Sequence, residues 1–303
     1  MKSLRRLLTF WFVVAVLATL ALASPVRAEE PEAPEPARTV LWALSGTSNT
    51  VYILGSIHLL GPEHYPLPPA MEAAYRDSQV VVFETDMEAM EAPAFQQEML
   101  RRAMLPADTT LKEEVAPETW AFLEKRFADA PFTLAAFQRF RPWMCALTIT
   151  MRELLQMGLR PDLGVDRHFW DRAGEDEKTR TFLERPEFQL DLLTAMEPEQ
   201  EEQFLLETVR QADETRQEMR RLVRAWQTGD IRTLEDLVGK GFADYPDLEK
   251  RFLTDRNRAW IPRILEMRQV EENVLVVVGA AHLVGKDSVI DLLRRGGLRV
   301  EQK

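Results

Sequence analysis

The chain has 303 residues and carries 38 Lys and Arg against 49 Asp and Glu, a formal charge of −11. Residues 1–28 contain Lys2, Arg5, Arg6 and Arg27 and no acidic residue, so the remainder holds 34 basic against 49 acidic residues, or −15. A body this acidic argues against nucleic acid, which needs a basic surface; 46% hydrophobic content with only 13 Gly and 18 Pro excludes a disordered or collagen-like chain; and a single cysteine, Cys145, excludes a disulfide framework, a Cys-based zinc site and a thioredoxin pair.

Lys2, Arg5 and Arg6 precede 17 uncharged residues, 7–23, followed by small residues with Ala21/Ala23 and Val26/Ala28 as two −3/−1 pairs. That order is a secretory signal, so residues 1–28 read as a signal peptide cleaved after Ala23 or Ala28. The alternative is an uncleaved anchor, because 17 apolar residues nearly suffice to span a bilayer. No cysteine follows the apolar run, which excludes a lipoprotein. Residues 29–38, opening on Glu-Glu-Pro-Glu-Ala-Pro-Glu-Pro, read as a disordered tether, and 39–303 as one domain. The expected location is a bacterial periplasm or the exterior, with the membrane a partner only if the signal is retained. Cys145 stands in the apolar stretch 143–149 and reads as packing.

Along the body, 39–44 and 51–54 are short β-rich runs separated by Ser45-Gly46-Thr47-Ser48-Asn49, a hairpin. Pro68-Pro69 opens a helix to Ser78. Residues 79–83 (Gln-Val-Val-Val-Phe) read as a buried strand ending at Glu84. From 92 to 157 the pattern is helical, broken at Pro106, Pro117, Pro131 and Pro142. A short strand is expected at 180–183, a charged surface helix over 198–229 and an amphipathic helix over 248–270. Residues 274–278 form an apolar strand, 287–295 a helix and 298–300 a last strand. The expected class is α/β: a mixed sheet core from two pseudo-repeated strand–turn–helix–strand halves, with a helical middle over about 92–270.

Both ends carry the same turn. Val51 to Gly61 reads VYILGSIHLLG and Leu275 to Gly285 reads LVVVGAAHLVG, so Gly55 and His58 match Gly279 and His282. Glycine lets the backbone bend sharply and other groups approach, and the histidine then projects from the carboxyl end of a strand, where open α/β sheets bind ligands. Imidazole serves as a metal ligand or as a general base near neutral pH. One histidine is readily explained by packing; the same residue in both halves favours a shared site. Glu84 should lie on the same sheet edge.

The paired Gly-x-x-His turns resemble the TraB/PrgY/GumN family, related to the Tiki proteases and more distantly to the erythromycin esterase and ChaN-like haem-binding proteins. The resemblance runs from about residue 39 to the end. It is supported by Trp42-Ala43-Leu44, Gly164-Val165-Asp166-Arg167-His168-Phe169, Leu183-Glu184 with Gln189-Leu190, and Asp255-Arg256-Asn257-Arg258-Ala259-Trp260. It implies a mixed sheet flanked by helices and, from the Tiki branch, a protease dependent on a divalent metal, manganese or cobalt, with zinc as a further option. Carried onto this chain, the metal residues are His58, His282 and Glu84, and Arg256 and Asn257 are supports. Arg185 departs from the small polar residue common after the glutamate, which leaves the place of Glu184 open.

Glu84 can be a third ligand or the base that takes a proton from bound water. Arg256 can hold a substrate carboxylate or an oxyanion through its fork, or form a surface pair on a charged helix. Asp166 precedes a helical stretch and reads as an N-cap; His64 reads as a loop residue and His168 as core. The expected function is an exported metal-dependent hydrolase, a peptidase acting on a peptide or protein. The alternatives are a haem- or peptide-binding protein without turnover and a metal-free esterase using histidine as base.

Overall fold

The computed structural model describes residues 38–303 apart from Ala130 and Asp244; the signal and tether readings fall on 1–37, outside the described residues. The chain, read from sequence as one domain over 39–303, divides into two compact units. One comprises 38–85, Gly158–Glu184 and Gln217–Lys303; the other comprises Asp86–Met157 and Arg185–Arg216.

The first unit is built on a six-stranded sheet: β1 (Leu41–Ser45), β2 (Thr50–Ser56), β3 (Val80–Thr85), β4 (Thr179–Glu184), β5 (Val274–Gly279) and β6 (Val300–Gln302). Their order is β4-β3-β5-β2-β1-β6. β1 and β2 form the expected hairpin, closed by Gly46 N–H donating to Asn49 O at 2.8 Å. β4, β3, β5 and β2 are mutually parallel, and β1 pairs antiparallel with both β2 and β6. All six residues of β5 are buried, which is why its sequence is a continuous apolar run instead of an alternating one.

Helices α1 (Pro69–Asp77), α2 (Val165–Glu175), α3 (Asp255–Met267) and α4 (Val289–Arg295) belong to this unit. The Tyr75 ring on α1 stacks on Phe169 of α2 at 5.1 Å, and Trp170 of α2 meets Phe83 of β3 edge-on at 5.0 Å. The parallel strands share one carboxyl edge: Thr85 lies opposite Glu184, and Ser56 opposite Gly279. Glu84, Glu184 and the segments carrying His58 and His282 therefore all lie at that edge.

The second unit is helical. Helices begin at Pro93, Pro117, Pro131, Pro142, Pro186 and Pro198, since a fixed φ and a missing N–H suit a first turn. Leu111, Leu123, Cys145, Ala146 and Leu205 form its core. Cys145 is fully buried, and burial, with the Glu201 charge adding to it, pushes its thiol well above the usual range; it packs, as expected. Inside this unit the buried Glu201 pairs with Arg141.

Several sequence expectations are corrected. The helix expected over 198–229 is two, Pro198–Arg210 and Ala212–Thr228, interrupted at Gln211. The helix expected over 248–270 is a short helix Pro246–Glu249, a π turn Lys250–Thr254 and α3, which stops at Met267. The final strand runs from Val300 to Gln302, because Gly297 at φ 82° turns the chain after α4. The helix expected over 287–295 starts at Val289, with the Ser288 hydroxyl accepting from Asp291 N–H at 3.2 Å. Among the described residues, no helix is long and apolar enough to cross a membrane.

Candidate functional site at the carboxyl edge of the sheet

Each site side chain is set by the end of one element. β2 runs into Ile57 and His58, and the Ile57 carbonyl accepts from Val165 N–H at 2.9 Å, fixing the start of α2 against the first turn. Gly164 makes this possible: a Cβ there would stand 2.3 Å from the His58 carbonyl oxygen. Asp166 in the first turn of α2 then brings Oδ2 to 3.0 Å from Nδ1 of His58. Asp166 is thus not the helix cap; Gly164 occupies that position without a side-chain bond.

The second turn is assembled on the fully buried β5. The N–H of Gly279 donates to Oε1 of Glu84 at 2.6 Å, tying β3 to the turn. His282 follows in a short 3-10 helix, Ala280–Leu283. Its Nδ1 lies 2.7 Å from Oδ1 of Asn257, whose amide donates onward to the Asp287 carbonyl at 3.0 Å. The Trp260 ring packs on the imidazole with centroids 4.4 Å apart.

Arg256 joins these parts. Its Nε donates to Glu184 Oε1 at 2.9 Å; Nη2 donates to Glu84 Oε2 at 2.6 Å and Glu184 Oε2 at 2.8 Å; Nη1 donates to the Phe252 carbonyl at 3.1 Å and Nε2 of His282 at 3.0 Å. A guanidinium has five N–H donors, and all five are committed. Arg256 is neither a surface pair nor a clamp with a donor free for substrate; it is the buried centre of the cluster. Glu184, left open by the sequence, accepts from Arg256 and from the Trp260 indole at 2.9 Å.

These contacts set the protonation states. Burial raises the Glu84 carboxyl, but Arg256, the two histidines and the Gly279 amide outweigh it and hold the group down at about 2, so Glu84 is a fixed anion. Burial and then the Arg256 charge push His282 down to about 3, against the pull of Glu84. His282 is therefore neutral, its Nδ1–H donating to Asn257 and its Nε2 lone pair accepting from Arg256. His58 goes the other way: burial lowers it, yet Asp166 and then Glu84 raise it above 6.5 overall. Its side chain is 15% exposed, against 5–10% for Glu84, Arg256, Glu184 and His282. His58 is the titratable group that reaches solvent.

Gly279 lets these groups close in on the turn. A Cβ on it would lie 3.2 Å from Glu84 Oε1, 3.3 Å from His58 Nε2 and 3.7 Å from His282 Cδ2. The structure thus brings together His58, His282, Glu84, Arg256 and Asn257 around Gly279. Gly55 has another role: its missing Cβ admits Val40 and Ala280, and its carbonyl accepts from the Trp226 indole at 2.7 Å. His64 stays outside, with Nδ1 at 2.9 Å from Gly61 N. His168, expected in the core, is a quarter exposed and pairs with Glu72 at 3.4 Å.

As arranged, His58, His282 and Glu84 do not fit a divalent ion. Nδ1 of His58 faces a carboxylate and Nε2 turns towards Gly279, the orientation of a metal-bound imidazole. The Nε2 lone pair of His282 and one oxygen of Glu84, however, face the Arg256 guanidinium. Among the described residues, no three His, Cys, Asp or Glu side chains are set to hold a metal ion.

Asp166, Glu184 and Trp260 were not read from sequence as site residues. The Gly-Val-Asp run at the start of α2 and the four-residue spacing of Arg256 and Trp260, which places both on one helix face, were the available signals.

The curated relatives that match are the uncharacterized proteins YbaP of Escherichia coli (strain K12) and of Shigella flexneri, each 23% identical over 248 residues, covering 80% of this chain and 87% of theirs. No solved structure gives a significant match. The model of the TraB/PrgY/gumN family matches residues 40–302, which span the sheet, both Gly-x-x-His turns and the Arg256 cluster, and the chain belongs to that family.

Proposed function

We propose that the chain is an exported hydrolase of carbonyl compounds, peptide bonds first among them, in which His58 is the general base. The observation that carries this reading is the His58–Asp166 pair at 3.0 Å. Nδ1 faces the Asp166 carboxylate, so Nε2 is the nitrogen left to act as base, and it lies close against Gly279. Nε2 takes a proton from water as the oxygen attacks the carbonyl carbon, then gives that proton to the leaving group. Asp166 and Glu84 stabilise the imidazolium formed in between, the role a carboxylate plays beside a catalytic histidine.

Glu84 cannot act as a proton donor near neutral pH, because its carboxyl is held at about 2. It belongs with Arg256, His282 and Asn257 as the frame that sets the position of the turn. No step is assigned to a metal. Export is supported by the basic, apolar, small-residue order of residues 1–28.

The test is a panel of quenched fluorescent peptides and activated esters, with the wild type and His58→Ala compared in the presence and absence of a chelator. Turnover is expected to survive chelation and to fall at least about 100-fold in His58→Ala. Turnover that requires added manganese, cobalt or zinc, or that persists in His58→Ala, would remove this mechanism.

A further inference from the structure

Arg256 occupies a donor set that a metal ion would also accept. Around its guanidinium stand both oxygens of Glu184, Oε2 of Glu84, Nε2 of His282 and the Phe252 carbonyl. Carboxylates, a neutral imidazole nitrogen and a carbonyl are the oxygen and nitrogen donors that zinc, cobalt and manganese take. Glu84 Oε1 is taken by the Gly279 N–H, so Oε2 is the oxygen turned to the guanidinium.

The electrostatics demand a cation at this point. Glu84 and Glu184 are both buried at the carboxyl edge of the sheet, with side chains 10% and 7% exposed. Two buried carboxylates in one place are tolerated only if a positive charge lies between them. A guanidinium supplies that charge permanently, since it does not deprotonate, and its planar fork matches carboxylate geometry. The π turn Lys250–Thr254 ahead of α3 carries Phe252, whose carbonyl takes one of the two Nη1 hydrogens. The other reaches the nitrogen of His282 that a metal would need.

We propose that the Arg256 guanidinium is the resident cation of this site, standing where a divalent ion would sit, so that the native chain holds no metal between Glu84, Glu184 and His282 and loss of the guanidinium opens a metal site there. The inference concerns which cation the cluster holds. It is therefore decided by metal binding alone, independently of whether the chain turns over a substrate.

The experiment is a cobalt(II) titration of the tag-free full chain, read by visible absorption and calorimetry, on the wild type, Arg256→Ala and Arg256→Ala/His282→Ala. The expected result is no stoichiometric cobalt site in the wild type, one equivalent with ligand-field bands in Arg256→Ala, and loss of that site in the double variant. One equivalent bound by the wild type and lost in His282→Ala overturns the proposal, as does a folded Arg256→Ala that binds none. Should Arg256→Ala not fold, manganese, cobalt and zinc are titrated into the wild type and His58→Ala/His282→Ala. No site in either supports the guanidinium as resident cation; a site in the wild type that the double variant lacks overturns it.

Discussion

Nδ1 of His58 and Oδ2 of Asp166 stand 3.0 Å apart because the chain at Gly164 has no side chain. The glycine lets the first turn of α2 touch the backbone of the Gly-x-x-His turn, and the carboxylate two residues later reaches the imidazole. Asp166→Asn keeps the shape and removes the charge. The His58 pKa should then fall, and kcat/KM should drop by roughly 10²- to 10⁴-fold. An NMR titration of the imidazole beside a pH–rate profile checks both; an unmoved acid limb would count against the pairing.

Gly164→Ala tests the close approach itself. The added methyl would sit 2.3 Å from the His58 carbonyl oxygen, backbone that cannot swing aside. The expected result is loss of several kcal/mol of stability together with loss of the His58 pKa elevation. A variant as stable as the wild type by urea unfolding would show that α2 need not abut the turn.

The two motif glycines should behave differently. Alanine at 55 meets Val40 at 2.5 Å and Ala280 at 3.1 Å inside the core, so Gly55→Ala should cost about 1–3 kcal/mol. At 279 the nearest atoms are Glu84 Oε1 at 3.2 Å and His58 Nε2 at 3.3 Å, and φ is −54°. Gly279→Ala should fold with a smaller loss and abolish turnover by pressing on His58 Nε2 and Glu84. Equal effects of the two substitutions on melting temperature and on rate would contradict this division.

Acid stability should follow the buried cluster. His282 falls from 6.5 to about 3 on folding, so its contribution is complete above pH 6.5 and is lost as pH drops towards 3. Glu84 falls from 4.5 to about 2, and its contribution is lost in the lower window, from 4.5 towards 2. His58 is raised, so its contribution is present below 6.5 and is lost as pH climbs through its folded value. Between pH 6.5 and 4.5 His282 therefore makes stability rise with pH, while the His58 window lies above 6.5. Urea unfolding of His282→Gln across that range should show a slope less favourable to high pH than the wild type; parallel slopes would mean His282 is not held neutral.

Trp260→Phe keeps an aromatic face on His282 and deletes the indole bond to Glu184 Oε1, 2.9 Å in the native chain. A cost of about 1–2 kcal/mol is expected for leaving a charged acceptor short of one donor. Thermal unfolding of the variant measures it, and no change would show that solvent replaces the indole.

Much of the sheet was legible because its signals are local. The apolar run ending in Gly279 and the hairpin around Gly46 depend on neighbours in sequence, and both formed as read. The 198–229 stretch did not form one helix, since helical periodicity continues through a residue such as Gln211 that tertiary packing uses as a break. Carboxylates favour helix starts, so Asp166 reads locally as a cap; only the approach of α2 to the first turn, set by Gly164, turns it to His58.

The sequence by itself determined the pairing of two Gly-x-x-His turns at strand ends and, with it, the edge of the sheet where the site lies. Periodicity and glycine placement act over a few residues and survive any rearrangement of the rest. The tertiary structure alone decided what those histidines are. It set His58 against Asp166 and raised it, and it buried His282 against Arg256 and held it neutral. The charge on a buried imidazole depends on which distant carboxylate or guanidinium folding brings to it, and no local pattern encodes that distance.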